Sequence, residues 1–207
     1  MVEIHPYSTL RFPFTKLVGD HFKTEDLSAI HDGVSYPLLT REKDQSTIFH
    51  KHFYTIGNEF FDVYRRFVRE VIAAITGTNI VYQRVPTFRI QLPNNVSVGE
   101  FHRDRDYFHD PGEINFWLPF TKAWGNNTVW IESAEGKEDF RPCNLEYGEF
   151  LMFDGANLKH GNRINDTGFT RVSIDFRAMS MKQYQPSDRR TINTGMRFII
   201  GEYFERL

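Results

Sequence analysis

The sequence has one cysteine, Cys143, in 207 residues, which excludes an internal disulfide. It also lacks any apolar run of signal-peptide or membrane-spanning length, the N-terminus included, so a cytoplasmic chain with no membrane partner is expected. Charge of one sign is missing too. The 25 basic residues face 27 acidic ones, a net charge of -2, too weak a field to argue for nucleic acid or an anionic surface. Gly-x-Ser-x-Gly elbows, phosphate loops, His-Glu-x-x-His pairs and paired cysteines are all absent, which leaves hydrolase and nucleotide-binding chemistry without a residue set. His102-Arg103-Asp104 begins like a protein-kinase catalytic loop, but His109 stands where that loop needs Asn and no Gly-rich loop precedes it.

Aromatic residues, by contrast, are plentiful. Phenylalanine alone numbers 20 and aromatics reach 15%, enough for a bulky core with much half-buried β surface. The length suits one domain. Phe53, Phe60, Tyr64, Phe67, Val71 and Ile75, with apolar residues between them, recur at three- and four-residue steps and predict one long amphipathic helix. It should end at Thr76-Gly77, with Gly77 as a left-handed cap. Before it, only residues 23–30 suggest a short helix, with Thr24 as cap.

Beyond Gly77 the pattern changes to short β-rich stretches at 80–85, 87–92, 113–120, 128–132, 149–153, 158–161, 170–177 and 197–200. These predict a sandwich, barrel or jelly roll with the helix covering one sheet. The expected layout is a helical support over about 1–78, a β core over about 80–178 and a C-terminal extension over 179–207.

Chemistry concentrates in Glu100-Phe101-His102-Arg103-Asp104-Arg105-Asp106. On a strand, His102 and Asp104 project from one face toward one spot. A metal needs a third ligand, and His160 is the candidate; two imidazoles and a carboxylate on one side of an ion are the set used by non-haem Fe(II) oxygenases. Asp106 and His109 are rival ligands. If a hairpin turns at Asp166-Thr167, residue 160 pairs with 173 and 162 with 171, so His160, Arg171 and Ser173 share a face. In 171–177 the alternation puts Val172, Ile174 and Phe176 on one side, and Arg171, Ser173, Asp175 and Arg177 on the other. That polar side faces either solvent or a site. An Arg and a hydroxyl beside a metal ligand would cradle a carboxylate.

These residues resemble the Fe(II)/2-oxoglutarate-dependent dioxygenases, whose pattern is His-x-Asp, a distant His and an Arg about ten residues later, often Arg-x-Ser. Here the pattern falls on His102, Asp104, His160, Arg171 and Ser173. The runs from Pro111 to Ser133 and from Asn165 to Arg177 look like a branch typified by a streptomycin-biosynthesis dioxygenase. The resemblance implies an α+β chain forming a double-stranded β-helix (jelly roll), with N-terminal helices on the major sheet. It further implies Fe(II) held by His102, Asp104 and His160, 2-oxoglutarate held at its far carboxylate by Arg171 and Ser173, O2 as oxidant, and a small-molecule substrate that is hydroxylated.

Gln91 and Asn115 are candidate contacts in the pocket, with backbone satisfaction as their alternative role. Glu132-Ser133-Ala134-Glu135-Gly136 departs from the Pro-Gly-Ser-His turn of relatives acting on acyl-CoA, and Asp104 argues against halogenation, whose enzymes lack that carboxylate. Competing readings are a β-helix that binds a ligand without oxidising it and an oxygenase acting on a macromolecule.

Overall fold

In the computed structural model, which describes residues 1–40, 45–98, 100–192 and 194–207, the chain is a mixed α/β fold of mostly antiparallel sheets with few helices. The strands are β1 (Val2–Pro6), β2 (Ile80–Gln83), β3 (Thr87–Gln91), β4 (Ile114–Pro119), β5 (Trp130–Ile131), β6 (Arg141–Pro142), β7 (Glu149–Phe153), β8 (His160–Gly161), β9 (Arg171–Ser180), β10 (Ser187–Arg190), β11 (Arg197–Phe198) and β12 (Phe204–Arg206). Seven of them form one sheet in the order β1-β7-β4-β9-β2-β12, with β3 also paired to β9. A three-stranded sheet runs β6-β5-β8, and β10 and β11 form a separate pair. Every expected β stretch contains a strand, whereas β1, β6, β10 and β12 lie outside the expected stretches. No helix among the described residues is long and apolar enough to cross a membrane.

One face of the large sheet is covered by helices α1 (Phe14–Phe22), α2 (Ile48–Phe53) and α3 (Asn58–Phe67), the last continuing as a π-turn over Val68–Ile72 and an α-turn over Ala73–Thr76. Phe60, Tyr64, Phe67 and Ile72 share a buried cluster with Phe88, Ile90, Phe116, Leu118, Val172, Ile174 and Phe176 of the sheet. Phe53 stacks on Phe88 at 4.1 Å, and Tyr64 meets Phe176 edge-on at 5.1 Å. Each such ring contributes about 1.5–3 kcal/mol by leaving water.

The single helix expected from Phe53 is thus two. Tyr54 to Gly57 interrupt it, with extended Gly57 (φ -72°, ψ 169°) at the start of α3. The π-turn accommodates the five-residue step from Phe67 to Ile72 and keeps both buried. Gly77 has φ 86° but ψ 166°, so it ends the helix in an extended glycine conformation and not as a left-handed cap. In 23–30 only a short turn at Leu27–Ala29 forms, and its cap is Asp26, not Thr24. Helix α1 was missed, although Phe14, Leu17, Val18 and Phe22 carry its period.

The other face of the large sheet meets the small one. Trp117, Leu151 and Phe153 pack with Val129, Ile131 and Leu158 in a second cluster. The hairpin expected between His160 and Ser173 does not form. β8 pairs with β5, placing His160 opposite Ile131, whereas Ser173 lies opposite Arg89 and Pro119 in the large sheet. Residues 162–170 cross from one sheet to the other instead. Buried Asn162 and Asn165 pin the crossing through their amides, on the carbonyls of Thr128, Gln91 and Phe169.

Candidate metal centre

Backbone register places the two histidines. His102 and His160 face each other in an antiparallel bridge, each N–H donating to the other's carbonyl at 2.9 Å. Directly opposed residues project to the same side, and the rings lie 4.6 Å apart. Gly161 permits the approach of the neighbouring chain, since a Cβ there would come within 2.8 Å of the Phe101 ring.

Asp104 is not on a strand with His102, contrary to expectation. It opens a 3-10 turn, Asp104–Tyr107, with its N–H bound to the Gly155 carbonyl at 2.9 Å. The turn carries the carboxylate to the imidazoles, so that Asp104 Oδ1 lies 3.4 Å from His102 Nε2 and 3.6 Å from His160 Nε2. One ligand atom from each of the three residues falls within 4.8 Å of the others. The rivals are committed elsewhere. Asp106 Oδ2 accepts the Arg103 N–H at 3.2 Å and closes its own turn, and His109 Nδ1 meets Glu113 Oε2 at 2.8 Å.

The second atom of each ligand is also committed. His102 Nδ1 lies 3.1 Å from the Glu100 carbonyl and His160 Nδ1 2.9 Å from that of Leu158. A carbonyl only accepts, so Nδ1 carries the proton and Nε2 presents its lone pair. Burial, and after it His102, lowers the His160 pKa to about 4, keeping the ring neutral at physiological pH. For Asp104, burial alone would raise the pKa, but the Arg177 guanidinium, followed by His102 and His160, holds it well below the carboxylate range. Its Oδ2 accepts from Arg177 Nε at 2.8 Å and Asn115 Nδ2 at 2.6 Å. Two imidazole lone pairs and one charged oxygen, each fixed from behind, fit a divalent first-row metal.

Arg171, 1% exposed, donates to the Asn127 carbonyl at 3.0 Å, to Ser173 Oγ at 2.7 Å and to Gln91 Oε1 at 3.0 Å. None of these is a carboxylate. Burial, then neighbouring Arg89, pushes this guanidinium down to about 9 against the opposing pull of Asp175, a state that an incoming anion relieves. Arg171 and Ser173 therefore share a buried face as the alternation along β9 predicts, without the hairpin that was to join His160 to it. Gln91 steadies Arg171 from behind, with its own amide on the Arg163 and Asn126 carbonyls. Trp117 donates to Ser173 Oγ at 3.1 Å.

Two cavities adjoin along Arg89, Val98, His102 and Arg177. The larger, about 410 Å³, reaches Asp104 and is walled by Gln83, Glu100, Tyr107, Thr191 and Tyr203 among others. The narrower one is lined by Ser97, Asn115, Trp117, His160 and Arg171. Ser97 Oγ and Asn115 Oδ1 are buried there with no hydrogen-bond partner among the described residues. Sequence reasoning missed Ser97, which lies in an irregular stretch without period. It put Asp175 and Arg177 on the polar face with Arg171 and Ser173 but gave them no role in the site.

The chain is 44% identical over 200 residues to the streptomycin biosynthesis protein StrG of Streptomyces griseus, spanning 96% of this chain and 95% of that one. Its fold is similar to the non-haem monooxygenase ThoJ in its nickel complex, with TM-score 0.51, 12% identity, and coverage of 96% of this chain and 82% of the other. It is also similar to the non-haem α-ketoglutarate-dependent carbocyclase SnoK from nogalamycin biosynthesis, with TM-score 0.55, 9% identity, and coverage of 86% and 79%. No family model matches the sequence.

Proposed function

The chain belongs to the family of the streptomycin biosynthesis protein StrG, and we propose that it is an Fe(II)- and 2-oxoglutarate-dependent oxygenase that hydroxylates a small polar metabolite in the cytoplasm. The observation that carries this reading is the junction of three metal-donor atoms within 4.8 Å and, in the adjoining cavity, a buried Arg171 whose hydrogen-bond partners among the described residues include no carboxylate. In this reading the whole chain is one domain, and its two facing sheets are the halves of a double-stranded β-helix.

His102 and His160 would hold the iron through Nε2 and Asp104 through Oδ1. Bound there, iron and 2-oxoglutarate would supply the activation of O2, one oxygen atom going to a substrate C–H bond and the other into the succinate formed as the co-substrate loses carbon dioxide. Arg171 and Ser173 would bind the far carboxylate of 2-oxoglutarate, with the unpartnered Ser97 hydroxyl lining the same cavity. Asn115 and Gln91 act through Asp104 and Arg171, which they hold in place. The diacid would be anchored at Arg171 in the narrower cavity, which leaves the larger cavity beside Glu100, Tyr107 and Tyr203 for the substrate. That volume lies within the range of small-molecule sites. Asp104 supports hydroxylation over halogenation.

The test is anaerobic mixing of metal-free protein with Fe(II) and 2-oxoglutarate, then exposure to oxygen. A weak visible charge-transfer band followed by succinate is expected. Absence of both would leave a ligand-binding protein without oxidation chemistry.

A further inference from the structure

Behind the metal centre runs a buried ladder of alternating charge that its ligand set does not by itself require. Asp104 Oδ2 accepts from Arg177 Nε at 2.8 Å, Arg177 Nη1 lies 3.0 Å from Asp175 Oδ2, and Asp175 Oδ1 accepts from Arg89 Nε at 2.9 Å. Arg177 and Asp104 are 6% and 1% exposed. The guanidinium reaches the carboxylate edge-on through Nε, while Asn115 Nδ2 occupies the same oxygen at 2.6 Å. With two donors on Oδ2, that oxygen cannot turn toward the imidazole side without breaking both bonds.

We infer that Arg177 is a positioning residue: it holds Asp104 as a one-oxygen ligand, so the protein offers the metal three donor atoms and not four, through the hydrogen bond from its Nε. The inference rests on the metal site proposed above. It makes a chemical distinction testable, because Gln carries its Nε2 at the same point along the side chain as the Nε of Arg, and Met carries a methyl group there. If the donor matters, Gln serves and Met does not. If only the positive charge matters, both variants lack it equally, and removing a cation beside the site tightens metal binding.

Co(II) alone, titrated anaerobically into metal-free protein and read at its visible ligand-field band, measures this. Arg177→Gln should bind Co(II) within about threefold of the parent, and Arg177→Met about 10- to 100-fold more weakly, the usual loss when a partner orienting a metal ligand is removed. Thermal melts of the metal-free forms report folding. Equal affinities in the two variants overturn the inference. A crystal structure of the unmodified chain with Co(II) decides independently of either variant's folding: one Asp104 oxygen on the metal and the other on Arg177 supports it, and a two-oxygen chelate overturns it while leaving the proposed function intact. Failure of the unmodified chain to bind Co(II) removes both.

Discussion

The two faces of β9 are chemically opposite, yet nine of its ten residues are buried. Toward the helices it presents Val172, Ile174, Phe176 and Ala178, packed with Phe88, Ile90, Phe116 and Leu118 of neighbouring strands. Toward the small sheet it presents Arg171, Ser173, Asp175 and Arg177, flanked by Arg89, Asn115 and Trp117. The first face is stabilised by area, and its side chains need only fill space. The second is stabilised atom by atom, because a buried polar group without a partner costs about 1–3 kcal/mol. Apolar residues of the same volume would serve stability as well or better. A face that keeps two arginines and an aspartate indoors is held by specific hydrogen bonds and ion pairs, not by area.

The comparison breaks or sharpens under substitution. The largest effect is expected on the apolar face. Phe176 stacks on Phe116 at 5.2 Å and meets Tyr64, so Phe176→Ala should lower stability by about 3–5 kcal/mol in urea denaturation. Metal bound per folded chain should stay the same, and a folded variant without metal would show that the faces are not independent.

Acid comes next. His160 sits near 4 when folded and near 6.5 when unfolded, so as pH falls through this window the unfolded chain takes up the proton first. Stability is then lost, by about 3 kcal/mol between pH 6.5 and 4. Asp104 and Asp175, both held low, add loss in the same direction at lower pH. His160→Gln should flatten the stability profile across the upper window, and an unchanged slope would place the sensitive group elsewhere.

On the polar face, Arg171→Gln removes charged hydrogen bonds to the diacid and should raise the 2-oxoglutarate needed by about 10- to 100-fold, or 1.5–3 kcal/mol, with metal affinity unaltered. Equal losses in both would refute the cradle assignment. Ser97→Ala should be smallest, about 1 kcal/mol or fivefold in 2-oxoglutarate affinity, measured by the same titration.

Much of this was legible in the sequence. Alternation along 171–177 separated the two faces, since a period of two assigns sides unambiguously, and His102, Asp104 and His160 do meet. Periodicity does not, however, name the partner strand. The residue count that paired His160 with Ser173 reached the right face through the wrong register, because residues 162–170 cross between sheets and Asn165 fixes that path by tertiary contacts. Nor does alternation tell solvent from a buried site, and only the packing of the small sheet decides it. The turn that swings Asp104 back to the histidines, and the break at Gly57, depend on local backbone that the apolar pattern runs straight through.

One titration bears on the whole account: Mn(II) added to the metal-free chain and to Asp104→Ala, with free ion followed by electron paramagnetic resonance. One ion bound per chain and none in the variant, with the variant still folded, is the expected result, since this substitution removes the only anionic ligand. Equal stoichiometry and affinity in the two proteins would contradict it.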